Sequence, residues 1–244
     1  MSGDDRDQLF DRLRSSIASE GYHVTLVQGG RVPRFAYSVG LTERGQREVV
    51  LAGVTSLSAK LVKRVLDEAV RASENGALAS GAQLDVPDIG AFRVTEAHRS
   101  WIARLLLGAS DYYDRDDIGG LQLAPEGALR TIDVPDMSHP WDAGREPVWR
   151  WLVEAWDLPV APSSVAVTNL AALRGQLITE AARWEDSEWE IFAGAGPDVA
   201  RDQVRVVPLA TLVGFDPSLA PVTRLEIGEA IRRIPPGPWE QWGR

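Results

Sequence analysis

The chain has 244 residues, which is enough for one large domain or two of ordinary size. Apolar residues make up 44% and charged residues 25%, a balance that indicates a globular protein and excludes general disorder. A net charge of −9 argues against nucleic acid as a partner, because phosphates repel an acidic surface that carries no long basic run. The lack of cysteine excludes disulfides, thiolate zinc sites and cysteine nucleophiles.

The first residues of the chain are polar and acidic, whereas a signal peptide begins with a basic and then an apolar segment. Every apolar run is far shorter than the roughly 20 residues that a membrane helix needs. We therefore expect a cytoplasmic protein with no membrane partner.

The first helix is predicted over residues 5–19, where Leu13 and Ile17 share one face and Gly21 ends the pattern. Apolar or alternating runs at 23–28, 34–41 and 48–54 predict three strands, whose order suggests an antiparallel set. Ser56 is the expected N-cap of the strongest helix, whose apolar stripe begins at Leu57.

Residues 91–95 and 121–123 predict two further strands, and a short helix containing Trp101 is expected before Gly108. A last helix of this part is expected to begin at Pro147. Helical spacing would place Trp149 and Trp156 on one face and Trp151 about 200° away from Trp149. One tryptophan is therefore expected to contact a second module or a partner, with contact between modules favoured.

Residues 157–164 have the Pro/Ser composition of a linker. Beyond them, strands are predicted at 165–168, 176–184, 188–193 and 203–207, and one helical turn at 208–213. We therefore predict an α+β fold with two modules, at residues 1–157 and 165–244, each a mostly antiparallel sheet with packed helices.

Two blocks of the first module carry a family resemblance. The first block follows a P-x-F-x-Y-[TS]-x-G-L pattern, with matches at Pro33, Phe35, Tyr37, Ser38, Gly40 and Leu41. The second runs from LQLAPE at Leu121 to VPDMSHPWD, which holds Asp136 and Trp141. The blocks resemble an uncharacterised bacterial family of unknown function with no settled activity. That family usually has His-Pro-Glu where this chain has Gln46, Arg47 and Glu48, which puts any role of that histidine in doubt.

Scattered positions of the second module follow another recurring pattern. The matches are Asp186, Ser187, Trp189, Phe192, Gly194, Asp216, Pro217, Ser218, Leu219, Arg232 and Trp239. They resemble a small immunity-protein family of bacterial polymorphic toxin systems, although its Arg-Glu pair is only partly kept, as Arg183 and Trp184. The resemblance implies a protein that covers a toxin's surface and turns over no substrate.

Five residues of the first module are candidates for lining a ligand pocket: Tyr37, Ser38, Asp136, His139 and Trp141. A serine nucleophile would need a nearby base, and the strained Gly-x-Ser-x-Gly turn is absent, so ordinary strand packing is favoured for the first two. Asp136 could hold the tautomer of a catalytic His139, although an ordinary loop histidine is favoured.

The acidic run from Asp111 to Asp117 has some features of a calcium loop. Counting from Asp114 puts Ile118 at position five and Pro125 at position twelve, where an EF-hand requires oxygen ligands. A solvated acidic loop is therefore favoured, and we predict no metal and no cofactor.

The favoured function is that of a non-catalytic cytoplasmic binding protein, an immunity-type protein that neutralises a cognate toxin polypeptide by forming a stoichiometric complex. The predicted contact residues combine acidic side chains with aromatic anchors: Trp184, Glu185, Asp186, Glu188, Trp189 and Glu190. The alternatives are an enzyme and a small-ligand sensor, either of them with a pocket in the first module.

Overall fold

The computed structural model describes residues 3–194 and 199–243, without the side chains of residues 3–7 and 9. The first sheet has six strands: β1 His23–Val27, β2 Phe35–Val39, β3 Glu48–Ala52, β4 Gln83–Val86, β5 Gly90–Ala97 and β6 Gly120–Pro125. The second sheet also has six: β7 Val165–Asn169, β8 Glu180–Glu185, β9 Glu188–Phe192, β10 Val204–Pro208, β11 Ala230–Arg232 and β12 Glu240–Gln241. The α-helices are α1 Gly3–Glu20, α2 Ala59–Glu74, α3 Arg99–Leu105, α4 Leu107–Tyr113, α5 Leu170–Leu173 and α6 Leu209–Phe215.

The predicted α+β class is confirmed, and both sheets are mostly antiparallel. The strand order is β1-β2-β3-β6-β5-β4 in the first sheet and β10-β7-β9-β8-β11-β12 in the second. Each sheet contains one parallel pair, β3 with β6 and β7 with β9. The strands of the two sheets come from separate stretches, residues 23–125 and 165–241. The module limits at 157 and 165 stay predictions.

The first sheet is covered by helices on both faces, as the alternation of side chains along β3 requires. Val50 packs in one core cluster with Leu13 of α1 and Trp101 of α3. Its neighbour Val49 points to the other cluster, where Val65 of α2 packs. Each face of this sheet therefore packs against a buried apolar cluster.

Helix α2 forms because its apolar residues recur on one face at helical spacing: Val62, Val65, Leu66, Ala69 and Val70 are all buried. The predicted N-cap, Ser56, is wrong by two residues. Ser58 caps the helix by accepting a hydrogen bond from the Leu61 backbone N–H. The Ser56 hydroxyl instead donates to the Leu129 carbonyl oxygen at 3.0 Å, which ties the start of α2 to a distant loop.

In the part of the chain that the structure describes, the second sheet has a helical layer on one face. Trp189 and Ile191 of β9 and Ala181 of β8 point into this core, where they meet Leu212 of α6. The 3-10 segment Pro217–Arg224 closes the same core, with Leu219 and Val222 buried in it. The side chains that alternate with these along β8 and β9 point away from the helices.

The segment between the sheets forms a short 3-10 helix, Pro147–Leu152, that ends before Trp156. The prediction of one longer helix is therefore wrong, and the spacing argument for Trp149 and Trp156 fails with it. Trp149 belongs to a core of the first sheet. Trp151 is fully buried, and its ring lies 3.2 Å from where a side chain on Gly214 of α6 would begin. Trp151 thus makes the expected contact between the two halves of the chain.

The short helix expected before Gly108 is confirmed as α3, which contains Trp101, and a further helix that was not predicted, α4, follows it and contains that glycine. The predicted linker is not an extended segment free in solvent, because Leu158 and Val160 pack against the second core. Ser164 at its end is buried as well.

Candidate functional site

Strands β8 and β9 form a hairpin with a strong excess of acidic side chains. Residues 180–192 contain one arginine and five carboxylates, a net charge of −4. The turn places Glu185, Asp186 and Glu188 at the surface. Their role as partner contacts stays a prediction. The Asp186 carboxylate lies 3.3 Å from the Arg183 guanidinium but is itself almost fully exposed. The hairpin end therefore presents a negative potential to solvent.

Trp184 stands on the outer side of this hairpin. Its side chain is 51% exposed, which is unusual for so large an apolar group. Its indole N–H donates a hydrogen bond of 2.8 Å to the Glu190 carboxylate, which fixes the ring beside the sheet. An exposed tryptophan held in one orientation is typical of the anchors in protein interfaces.

Trp184 and Glu190 border a cavity of about 730 Å³ on the side of the second sheet that points away from the helices. Its lining is mostly apolar and comes from all six strands of the sheet or their ends: Val167, Ala182, Phe192, Val204, Ala230 and Trp242 contribute side chains. We call this cavity the sheet groove. Beyond it, Val206 of β10 is 61% exposed. Apolar surface of this kind, rimmed by charged groups, marks a site of binding.

Trp189, the other predicted anchor, does not reach this surface. Its side chain is fully buried and its indole N–H donates to the Val222 carbonyl oxygen at 3.2 Å. The Arg183 guanidinium covers its ring at 4.7 Å from the centroid. Its assignment as a contact residue is therefore corrected: Trp189 is part of the core that supports the hairpin.

The first two pocket candidates of the first module, Tyr37 and Ser38, are buried. The Tyr37 hydroxyl accepts a hydrogen bond from the Gly108 N–H at 3.2 Å, and burial raises the pKa of Tyr37. The Ser38 hydroxyl donates to a carboxylate oxygen of Glu48 at 2.6 Å and accepts from the Val49 N–H at 2.8 Å. Both side chains are thus engaged in the interior.

Glu48 itself is fully buried and its charge has no arginine or lysine partner among the described residues. The Glu48 carboxylate instead accepts hydrogen bonds from hydroxyl and backbone amide donors. Besides Ser38, the Thr42 N–H and hydroxyl donate at 2.9 Å each, and the Tyr113 hydroxyl donates at 2.5 Å. Burial, and then the negative charge of Glu48, raise the pKa of Tyr113. We call these four residues the Glu48 network.

Asp136 and His139 lie together at the surface, with an Asp136 oxygen 3.1 Å from His139 Nδ1. The Ser138 hydroxyl contacts the same ring nitrogen at 3.0 Å, so the three side chains do not form a relay from serine through histidine to aspartate. Trp141 is half-buried beneath the Arg104 guanidinium at 4.8 Å. The structure therefore groups Asp136 with His139 and separates them, by hydrogen-bond partners, from Tyr37 and Ser38.

Sequence reasoning missed most of the sheet groove. Phe192 and Val204 lie in predicted strands, and their alternation with core residues is a signal that could have placed them on one face. Trp242 gave no such signal, because it follows the two-residue strand β12 and its position depends on a backbone bond from its N–H to Ala230.

None of the described helices combines the length and the apolar character needed to cross a bilayer. The described part of the chain also contains no group of three or more His, Asp or Glu side chains arranged to hold a metal ion. No curated protein and no solved structure matches the chain.

One family does match, and it covers the first sheet. Its description is "Domain of unknown function (DUF4262)", and the matched residues are 16–128, which include β1 to β6. The match leaves out Asp136, His139 and Trp141 as well as the whole second sheet. The resemblance of the first module to a family of unknown function is confirmed in this form, while the motif and the immunity-protein resemblance stay predictions. Residues 16–128 of the chain are a DUF4262 domain.

Proposed function

We propose that the chain is a non-catalytic binding protein that holds a basic polypeptide against the sheet groove and the acidic hairpin beside it. The observation that carries this proposal is the half-exposed Trp184, fixed by Glu190 at the edge of an apolar cavity of about 730 Å³. An aromatic or aliphatic side chain of the partner would fill the groove, and its lysine or arginine residues would face the carboxylates of the hairpin. Such charge complementarity chiefly raises association rate and specificity.

The partner we propose is a cognate toxin, which the chain neutralises in the cytoplasm by covering its surface in a one-to-one complex. The support for this step is the resemblance of the second module to an immunity-protein family, at positions that include Asp186, Phe192 and Arg232. A net charge of −9 for the chain is consistent with a basic partner.

The test is co-expression of the full chain with the product of the adjacent open reading frame, followed by purification and measurement of Kd. We expect a one-to-one complex. Trp184→Ala should weaken it by about 2 kcal/mol, about 30-fold in Kd, as expected for a tryptophan anchor. Trp156→Ala is the matched control, because this half-buried ring packs against Trp151 with 5.1 Å between centroids, away from the groove.

Charge is tested separately, by reversing one exposed carboxylate at a time. Glu185→Lys should weaken the complex, and more strongly at low salt, because like charges would face each other. Asp116→Lys changes the net charge equally in an exposed loop of the first module and should leave Kd unchanged. Failure to form any complex, or equal effects of the two charge reversals on Kd, would refute the proposal that the acidic hairpin contacts the partner.

An enzyme remains the second candidate, supported by the contact between Asp136 and His139. A carboxylate on Nδ1 leaves Nε2 available as a base. Under this hypothesis, His139→Ala abolishes turnover of a substrate while the unfolding midpoint stays the same. Tyr37 and Ser38 give it no support, because their buried hydroxyls are already bonded within the protein.

A further inference from the structure

A second cavity, separate from the sheet groove, lies over the end of β5 and β6 in the first sheet. Its volume is about 490 Å³, within the range of roughly 300–1,000 Å³ that small-molecule sites occupy. Buried Gln122 lines this cavity and holds the segment from Pro135 to Met137 beside it. Its side-chain N–H donates to the Pro135 carbonyl oxygen at 2.7 Å, and its side-chain oxygen accepts from the Met137 N–H at 3.0 Å. We call this cavity the polar cleft.

Two arginines line the polar cleft. Arg93 donates twice to one oxygen of Glu126, at 2.9 and 2.6 Å, so its charge is already balanced. Arg130 is exposed, and among the described residues its guanidinium has no hydrogen-bond or ion-pair partner. An unengaged guanidinium presents the planar pair of donors that binds a carboxylate with two parallel hydrogen bonds.

The Asp136 carboxylate also lines the cleft. One of its oxygens accepts from the Ser138 N–H and hydroxyl, at 3.0 and 2.6 Å, while the other faces His139. Burial alone would raise the pKa of Asp136, but these hydrogen bonds outweigh it and lower the pKa. The side chain is 49% exposed, so a ligand in the cleft can reach it.

Arg130 and Asp136 both line this cleft, and both act electrostatically on the Glu146 carboxylate. The Glu146 carboxylate accepts a hydrogen bond of 2.8 Å from the Asp136 N–H. Burial raises the pKa of Glu146, the Asp136 charge adds to this, and the Arg130 charge opposes it. Both signs of charge therefore border the same cavity.

We infer that the polar cleft binds a small zwitterion of the α-amino acid type, with its carboxylate on Arg130 and its ammonium group on Asp136. A purely anionic ligand would face the Asp136 and Glu126 carboxylates, and a purely cationic one would face the two arginines. A molecule that carries both charges can pair with Arg130 and with Asp136. This site belongs to the first sheet and does not depend on the polypeptide-binding function proposed for the second.

The experiment is calorimetric titration of the full chain with the proteinogenic amino acids, one at a time. Each amino acid is compared with its N-acetyl and its carboxamide derivative, which lack one of the two charges. We expect at least one amino acid to bind with a Kd of about 1 mM or tighter. Both derivatives should bind at least about tenfold more weakly, because each loses a charge-assisted hydrogen bond.

Variants locate the site. Arg130→Gln and Asp136→Asn should each weaken binding at least about tenfold, and asparagine retains the oxygen that accepts from Ser138. Arg99→Gln, an exposed arginine outside the cleft, should bind as the parent does. Absence of binding by every amino acid, equal binding of the singly charged derivatives, or insensitivity to Arg130→Gln would each overturn the inference. Calorimetry of these variants with the polypeptide partner should give an unchanged Kd.

Discussion

The buried Glu48 network makes a sharp prediction for Ser38→Ala. The Ser38 hydroxyl both donates to the Glu48 carboxylate at 2.6 Å and accepts from the Val49 N–H at 2.8 Å. Alanine removes both bonds at once in a place that water does not reach, since Ser38 and Glu48 are fully buried. The carboxylate loses one donor, and a backbone N–H loses its acceptor.

The magnitude follows from these two losses. A hydrogen bond to a charged group contributes about 1.5–3 kcal/mol, and a buried N–H left without a partner costs about 1–3 kcal/mol. Because both bonds share one hydroxyl, the two effects overlap, and we expect a loss of about 3 kcal/mol in the free energy of unfolding. Ser38→Thr keeps the hydroxyl and adds only a methyl group, so its cost should be smaller, about 1 kcal/mol.

Urea unfolding followed by the fluorescence of the nine tryptophans measures these changes. Ser164→Ala is the matched control, because Ser164 is also buried but its hydroxyl has no hydrogen-bond partner within the described residues. Removal of that hydroxyl should change stability by less than about 1 kcal/mol. Equal losses for the two serines, or a loss below about 1 kcal/mol for Ser38→Ala, would refute the role assigned to Ser38.

Two further predictions concern the second half of the chain. Gly214→Ala should lower the free energy of unfolding in urea by about 1–3 kcal/mol, because its Cβ would lie 2.9 Å from the Pro147 carbonyl oxygen. Gly30→Ala, whose Cβ would meet no atom within 4 Å, should be neutral. Burial alone would raise the pKa of Asp216, but hydrogen bonds from Ser218 and Arg233 outweigh it and lower the pKa. Its contribution to stability is therefore present above the unfolded pKa of about 3.9 and is lost as the pH falls through the folded value. Asp216→Asn should reduce the free energy of unfolding at neutral pH and make it decrease less steeply below about pH 4. An equally steep decrease in the variant and the parent would contradict this.

The sequence correctly predicts those elements whose pattern of apolar residues matches their burial in the fold. Strands β2 and β3 are buried at every position and appear as apolar runs, so both were placed to within two residues. Strands β4, β11 and β12 were missed. They are two to four residues long, and β4 has only Val86 buried, so they are too short and too exposed to show a clear apolar alternation.

The candidate site was predicted in part for a similar reason. Carboxylates are rarely buried without partners, and the hairpin residues Glu185, Asp186 and Glu188 do lie at the surface. The sequence could not distinguish Trp184 from Trp189 as an anchor. They lie on different strands, and which one faces the core is decided by where α6 and the Pro217–Arg224 segment pack. Glu48 shows the opposite case, a carboxylate buried because four donors converge on it.

The geometry of the 3-10 helix explains why the chain should not divide cleanly after residue 157. Successive residues of such a helix are about 120° apart, so Trp149 and Trp151 point in different directions. Trp149 enters a core of the first sheet, while Trp151 packs beside Gly214. A fragment of residues 1–157 would therefore expose Trp151, which is fully buried in the whole chain. We expect this fragment to bind a hydrophobic dye and to unfold at lower urea than the full chain. A fragment with the same midpoint and no dye binding would show that Trp151 contributes little to joining the two sheets.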